Sequence, residues 1–308
     1  MTMNRLRRGL LATLAFSPWA AAHAATAATA PPLRVVASFS ILADLVREVA
    51  GDAADVHALV GPDADAHVFE PTPAHARTLA QAELVVVNGL GFEGWMSRLV
   101  AASGYRGSVV VASQGVAARQ AGGAFDPHAW QSLVHAQRYV DNIRAALSTA
   151  RPAQAAHFAQ RAAAYTERLQ ALDTRLQQQF AAVPLAQRRV ITSHDAFAYL
   201  GAAYGITFIA PRGWSTEAEP SAAAVAAIVR QVKAQQARAL FVENISDRRL
   251  VERIAQDSGA VVGGTLYSDA LSAPGSAADT YLRLYEHNAG SIAQALRSAM
   301  LADARPTR

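Results

Sequence analysis

"PAQAAHFAQRAAAYTERLQALDTRLQQQFAAV", residues 152–183, contains no glycine and no proline after Pro152. Its larger apolar residues fall at Phe158, Tyr165, Leu169, Leu172, Leu176 and Phe180, spaced by sevens, fours and threes. That spacing puts them on one helical face. Proline at the start suits a first helical turn, where its missing N–H is no loss. A helix of this length reaches roughly 40 Å at 1.5 Å per residue. The stretch is therefore expected to be one stiff helix, and what flanks it decides the fold.

On both sides, short apolar β-rich runs alternate with helical ones. Before the helix, the strands expected are "LRVVAS" (33–38), "DVHALV" (55–60), "ELVVVNG" (83–89) and "SVVVAS" (108–113). After it come "RRVITS" (188–193), "ITFIAP" (206–211), "ALFVEN" (239–244) and "AVVGGTL" (260–266). Continuous apolar strands separated by helices mean a parallel sheet covered on both faces. The expected class is α/β, with two lobes of about four strands each: an N-terminal lobe over 25–151, the helix over 152–183 and a C-terminal lobe over 184–308. No sequence repeat relates the lobes; only the architecture recurs.

The chain has 308 residues, 52% of them hydrophobic and 17% charged, which supplies ample core and too little charge for disorder. The first residues, with Arg5, Arg7 and Arg8 before an apolar run and Ala22-His23-Ala24, read as a secretory signal peptide over 1–24. Without it, 25 basic residues face 24 acidic ones, and no basic stripe points to nucleic acid. There is no cysteine. That excludes thiolate metal sites and leads to the expectation of a free, monomeric periplasmic protein, exported but not lipid-anchored.

In open parallel α/β sheets, ligands bind beyond the carboxyl ends of strands. Sorting by that rule picks out His67 in "DADAHVFEPTP", His128 in "FDPHAW", His194 in "ITSHDAF" and Asp269 in "GTLYSDAL", two in each lobe. Taken singly, each loop histidine is as well read as solvated. Asp269 alone suits a turn or helix cap, Asp126 before Pro127 reads as a turn, and Trp130 as a core anchor. His57, His75, His135, His157 and His287 fall inside strands or helices. If the lobes face one another, the four strand-end residues can converge.

These residues and their surroundings resemble a known family, the metal-binding solute receptors of bacterial ABC importers for zinc and manganese (ZnuA/TroA-like). The motifs run in order through the mature chain: "VVASFSILADLVREVAGD", "GPDADAHVFEPTPA", "AELVVVNGLGFEGWM", "DPHAW", the long helix, "TSHDAFAYLGAAYGI" and "GGTLYSDAL". The resemblance implies metal ligands at His67, His128, His194 and Asp269, the third position varying between His and Glu in the family. It implies capture of a transition-metal ion without catalysis, delivery to a membrane permease, and a periplasmic metallochaperone as a further partner. The long His- and acid-rich loop of many zinc receptors is missing from "ASQGVAARQAGGAFDPH".

Three imidazoles and one carboxylate favour Zn²⁺, whereas Mn²⁺ prefers more oxygen donors. Zinc is therefore the expected cargo, with manganese or iron as the alternative. Glu70, Asp195 and Glu243 lie near enough to orient the ligands. A zinc hydrolase is a weaker reading, because four protein ligands leave no open position and there is no H-E-x-x-H. A receptor for an organic solute would use groups such as those of "PRGW" (211–214), and an adhesin or metal buffer of the same fold would differ only in lacking a permease.

Overall fold

Leu33–Phe39 (β1) is buried at every position except Arg34, as a central strand covered on both faces must be. The computed structural model describes residues 31–303 apart from 122, 236 and 238. The expected signal peptide, 1–24, lies outside the described residues. After β1 come Ser40–Ala50 (α1), Ala54–Val60 (β2), Pro73–Ala80 (α2), Leu84–Val87 (β3), Met96–Ser103 (α3) and Ser108–Val111 (β4). Thr72 and His75 cap α2 reciprocally and Pro73 opens it, which accounts for one histidine structurally. A small antiparallel hairpin, Gln120–Ala121 (β5) with Ala124–Phe125 (β6), precedes Leu133–Ala150 (α4).

The long helix follows. Pro152–Gln154 form a 3-10 turn, and Ala155–Ala181 (α5) continue for 27 residues. Its buried side chains are Phe158, Ala162, Tyr165, Leu169, Leu172, Leu176 and Phe180, the expected stripe with one alanine added. Then come Arg189–Ile191 (β7), Ala198–Tyr204 (α6), Thr207–Ile209 (β8), Ala222–Gln235 (α7), Ala239–Glu243 (β9), Arg248–Ser258 (α8), Val261–Leu266 (β10) and Tyr281–Asp303 (α9).

Two four-stranded parallel sheets result, in the orders β2-β1-β3-β4 and β10-β9-β7-β8. Numbered within its own sheet, each is wound 2-1-3-4, so the same crevice opens beyond the strand ends of both. The α5 stripe packs on α1 and α4 on one side and on α6 and α9 on the other. One continuous apolar core runs from Val35 and Val86 through Leu169 to Phe197, Phe241, Tyr281 and Ile292. A smaller core under α7 and α8 gathers Ile191, Ile209, Leu240, Val251 and Ile254. A helix that shares its core with both sheets restrains them far more than a tether would. Among the described residues no helix is long and apolar enough to cross a membrane.

The buried carboxyl of Asp44, on α1, accepts the N–H of Tyr281 at the start of α9 (2.8 Å). Burial pushes its pKa up to about 6, against the lowering effect of that hydrogen bond. A carboxyl with a raised folded-state pKa favours the native state most below its unfolded value and loses that contribution as pH rises through about 6. Asp44→Asn keeps an acceptor and removes the charge. Urea unfolding is expected to show a gain at pH 7.5 exceeding that at pH 4 by about 2 kcal/mol.

Candidate metal centre

His67 follows β2, His128 follows β6, His194 follows β7 and Asp269 follows β10. The structure brings all four together, with one donor atom from each lying within 4.8 Å of the others. Asp269 Oδ2 is 3.3 Å from His67 Nε2 and 3.2 Å from His194 Nε2, and its Oδ1 is 3.6 Å from His128 Nε2. The imidazole centroids are 5.2–5.8 Å apart. His128, His194 and Asp269 are fully buried, and His67 keeps 8% of its surface.

The three Nε2 atoms and both Asp269 oxygens are buried and find no hydrogen-bond partner among the described residues. Leaving one such atom unpaired costs about 1–3 kcal/mol, so five at one point call for an occupant. Three nitrogens and a carboxylate suit a divalent first-row metal ion.

The outer nitrogens of two rings are held by acids. Asp126 Oδ1 is 2.8 Å from His128 Nδ1, and Glu243 Oε2 is 2.6 Å from His194 Nδ1. Glu243 Oε1 also accepts the N–H groups of Ser193 (2.7 Å) and His194 (2.9 Å). A proton placed on each Nδ1, facing its acid, would turn the Nε2 lone pair inward, as metal ligation requires. His67 and His128 share a local device: Asp65 Oδ1 accepts the His67 N–H (2.9 Å), and Asp126 Oδ1 accepts the His128 N–H (3.1 Å). Both are Asx turns at D-x-H, which fix the backbone that presents each ring. Phe92 stands edge-on to His67 at 4.7 Å and Trp130 to His128 at 5.3 Å, an apolar wall on one side of the site.

The loop bearing Asp269 is gripped from across the crevice. The Ser268 carbonyl accepts Trp130 Nε1 (2.9 Å) and Gln131 Nε2 (2.8 Å), and the Leu271 N–H donates to Ser40 Oγ (3.0 Å). Trp130 is thus both a core residue and a hydrogen-bonded clamp.

Of the three acids flagged in sequence, only Glu243 touches one of the four converging side chains; Asp195 takes Trp214 Nε1 (3.1 Å), and Glu70 is exposed. Asp126, read as a turn residue, turned out to be a ligand's partner as well. The D-x-H spacing repeated at His67 and His128 was the signal for it. His157 donates to the Ala50 carbonyl and His287 to that of Thr265. His57 is exposed, and His135 lies against the Tyr199 ring. The Arg and Trp of "PRGW" contact Glu219 and Asp195.

Burial alone would push the His194 ring down, but Glu243 and Asp269 beside it reverse that and hold it well above its ordinary value. Burial would likewise raise the Asp269 carboxyl, yet the His194 and His128 rings draw it below the usual carboxylate range.

The family model for the periplasmic zinc-uptake complex component A matches residues 35–295. The manganese-binding lipoprotein MntA of Halalkalibacterium halodurans is 31% identical over 86% of this chain and 88% of its own length. The iron-binding protein YfeA of Yersinia pestis is 30% identical over 86% of this chain and 87% of its own. Among solved structures, the periplasmic zinc-binding protein TroA of Treponema pallidum superposes with a TM-score of 0.83 at 28% identity, covering 86% of this chain and 99% of that one.

These relatives correct the expectation of a receptor free of any lipid anchor. MntA and similar proteins from streptococci are named lipoproteins. The absence of cysteine bears on one attachment chemistry and is a poor guide to location.

Two outcomes are expected. Metal binding must expel the proton that the raised His194 pKa retains, so affinity measured by chelator competition should tighten by up to about tenfold per pH unit from 6 upward; a flat profile would contradict this. Glu243→Gln, which keeps the shape and removes the charge, should weaken binding by about 10–100-fold in the same assay.

Proposed function

Because this chain belongs to the family of the zinc-uptake complex component A, a family of metal-binding receptors of ABC importers, we propose that His67, His128, His194 and Asp269 capture one divalent transition-metal ion and that a membrane permease takes it from them. One observation carries the assignment: three ring nitrogens and a carboxylate converge, buried, with no hydrogen-bond partner among the described residues. Each lobe supplies two of the donors, and the core shared through α5 limits how far the lobes can separate. Opening is therefore small, and the ion is exchanged by local movement of the loops at the strand ends.

For the cargo we propose manganese. The expectation of zinc followed from the nitrogen-rich donor set, whereas relatives 30–31% identical over most of this chain carry manganese and iron in their names. The two observations answer different questions. Zinc stands above manganese in the affinity order of nearly any N/O site, so zinc is the tighter ligand in a test tube whichever ion the importer carries. Cargo is set by which ion reaches the receptor and which loaded form the permease accepts. Zinc remains the second reading, favoured by the three imidazoles.

A strain lacking the gene should need added manganese for full growth and recover at manganese concentrations where zinc fails. The purified chain should nonetheless bind zinc at least about tenfold more tightly than manganese. Recovery with zinc and not with manganese would restore the zinc assignment.

A further inference from the structure

The four donors are not equally enclosed. Three have no exposed surface, and only His67 retains some. His67 also sits in the segment between β2 and α2, which has no regular structure, whereas the rings of His128 and His194 are each held by a carboxylate. Any exchange of an ion with solvent therefore runs past His67 and requires its segment to move.

What holds that segment down is specific. Asp65, two residues before His67, spends one oxygen on the His67 N–H (2.9 Å) and the other on the hydroxyl of Thr216 (2.6 Å). Thr216 lies 151 residues away, on the segment that follows β8, and is itself buried. That second segment is anchored to the ligand region too. Arg212 forms a β-bridge with His194, the Asp195 N–H donates to the Gly213 carbonyl (3.2 Å), and Trp214 Nε1 donates to Asp195. A single carboxylate thus links the backbone presenting His67 to the segment packed along His194. The remaining fastenings of this stretch do not involve the Thr216 segment: Trp95 Nε1 donates to the Ala66 carbonyl (2.8 Å), the Asp63 N–H to the Leu271 carbonyl (2.9 Å) and Asn244 Nδ2 to Asp63 Oδ1 (2.9 Å).

We propose that residues 63–67 form the gate of the site and that the Asp65–Thr216 hydrogen bond is its latch, setting the rate at which a bound ion leaves. The proposal rests on the metal-binding reading of the same site. Asp65 is a positioning residue: it touches no ion and acts through His67 and Thr216. Breaking the latch leaves all four donors and the Asp65–His67 turn in place, so it should change kinetics far more than coordination. A merely structural role for Thr216 would not separate the two.

The test uses the purified full chain loaded with Co²⁺ and mixed rapidly with excess EDTA, with the cobalt absorption bands followed in time. Thr216→Val removes the hydroxyl and keeps the shape; Thr216→Ser restores the hydroxyl. A hydrogen bond to a charged acceptor predicts release about tenfold faster for T216V than for the parent, with T216S within about twofold of the parent. All three should show the same cobalt spectrum before EDTA is added. Release from T216V at the parent rate would overturn the latch, and so would T216S releasing as fast as T216V. A parent chain that takes up no Co²⁺ is a different failure: it sinks the metal site itself, and the latch with it.

Discussion

Five buried donor atoms, with their lone pairs pointed at one spot, are the constraint that the rest of the molecule satisfies. Without an occupant the arrangement is unfavourable, because each unpaired polar atom has given up water and gained nothing. Held by flexible side chains it would collapse into internal hydrogen bonds, with Asp269 captured by whichever ring came closest. Asp126, Glu243 and the two D-x-H turns prevent this by fixing the outer faces of the rings and the backbone behind them. The parallel sheets fix the origins of three of the four loops, the β5–β6 hairpin leads into the fourth, and α5, buried against elements of both lobes, fixes the sheets. The chain of support runs from ion-sized gap to ring, carboxylate, strand end and core.

Much of that chain was legible in the sequence, and the reasons are local. The α5 stripe and the eight strands of the two sheets are periodicity and composition, which a strand or helix carries in its own residues. The four donors stand out because parallel sheets put chemistry at strand ends: His67, His194 and Asp269 follow β2, β7 and β10 directly, and His128 comes after β4 by way of the β5–β6 hairpin. The partners were harder to see. Glu243 is the last residue of β9 and reaches His194 from 49 residues away; nothing in "ALFVEN" distinguishes a glutamate that orients a ring from one that faces water. Asp126 was masked by the proline after it, since Asp-Pro is a turn signal in its own right. The hairpin β5–β6 has strands of two residues each, too short for alternation to register; only Gly122-Gly123 hints at it.

Cargo is not legible in the ligands for a different reason. Donor chemistry ranks affinities, and three imidazoles rank zinc high. Transport depends in addition on supply and on a permease surface, neither of which leaves a mark on four ligand side chains. Location was misjudged by letting one missing residue type stand for a whole class of membrane attachment.

The clamp on Asp269 has a consequence for the timing of assembly. The Ser268 carbonyl is gripped by side chains 137 and 138 residues earlier in the chain, and the Leu271 and Tyr281 amides by acceptors 231 and 237 residues earlier. Contacts of such sequence separation form late, after the entropy of closing long loops has been met. A chain emerging N-terminus first carries His67 and His128 long before the residues that complete the cage, and two imidazoles alone make a weak, open site. If these four residues hold the ion as proposed, selective capture belongs to the finished fold, and the chain is born empty.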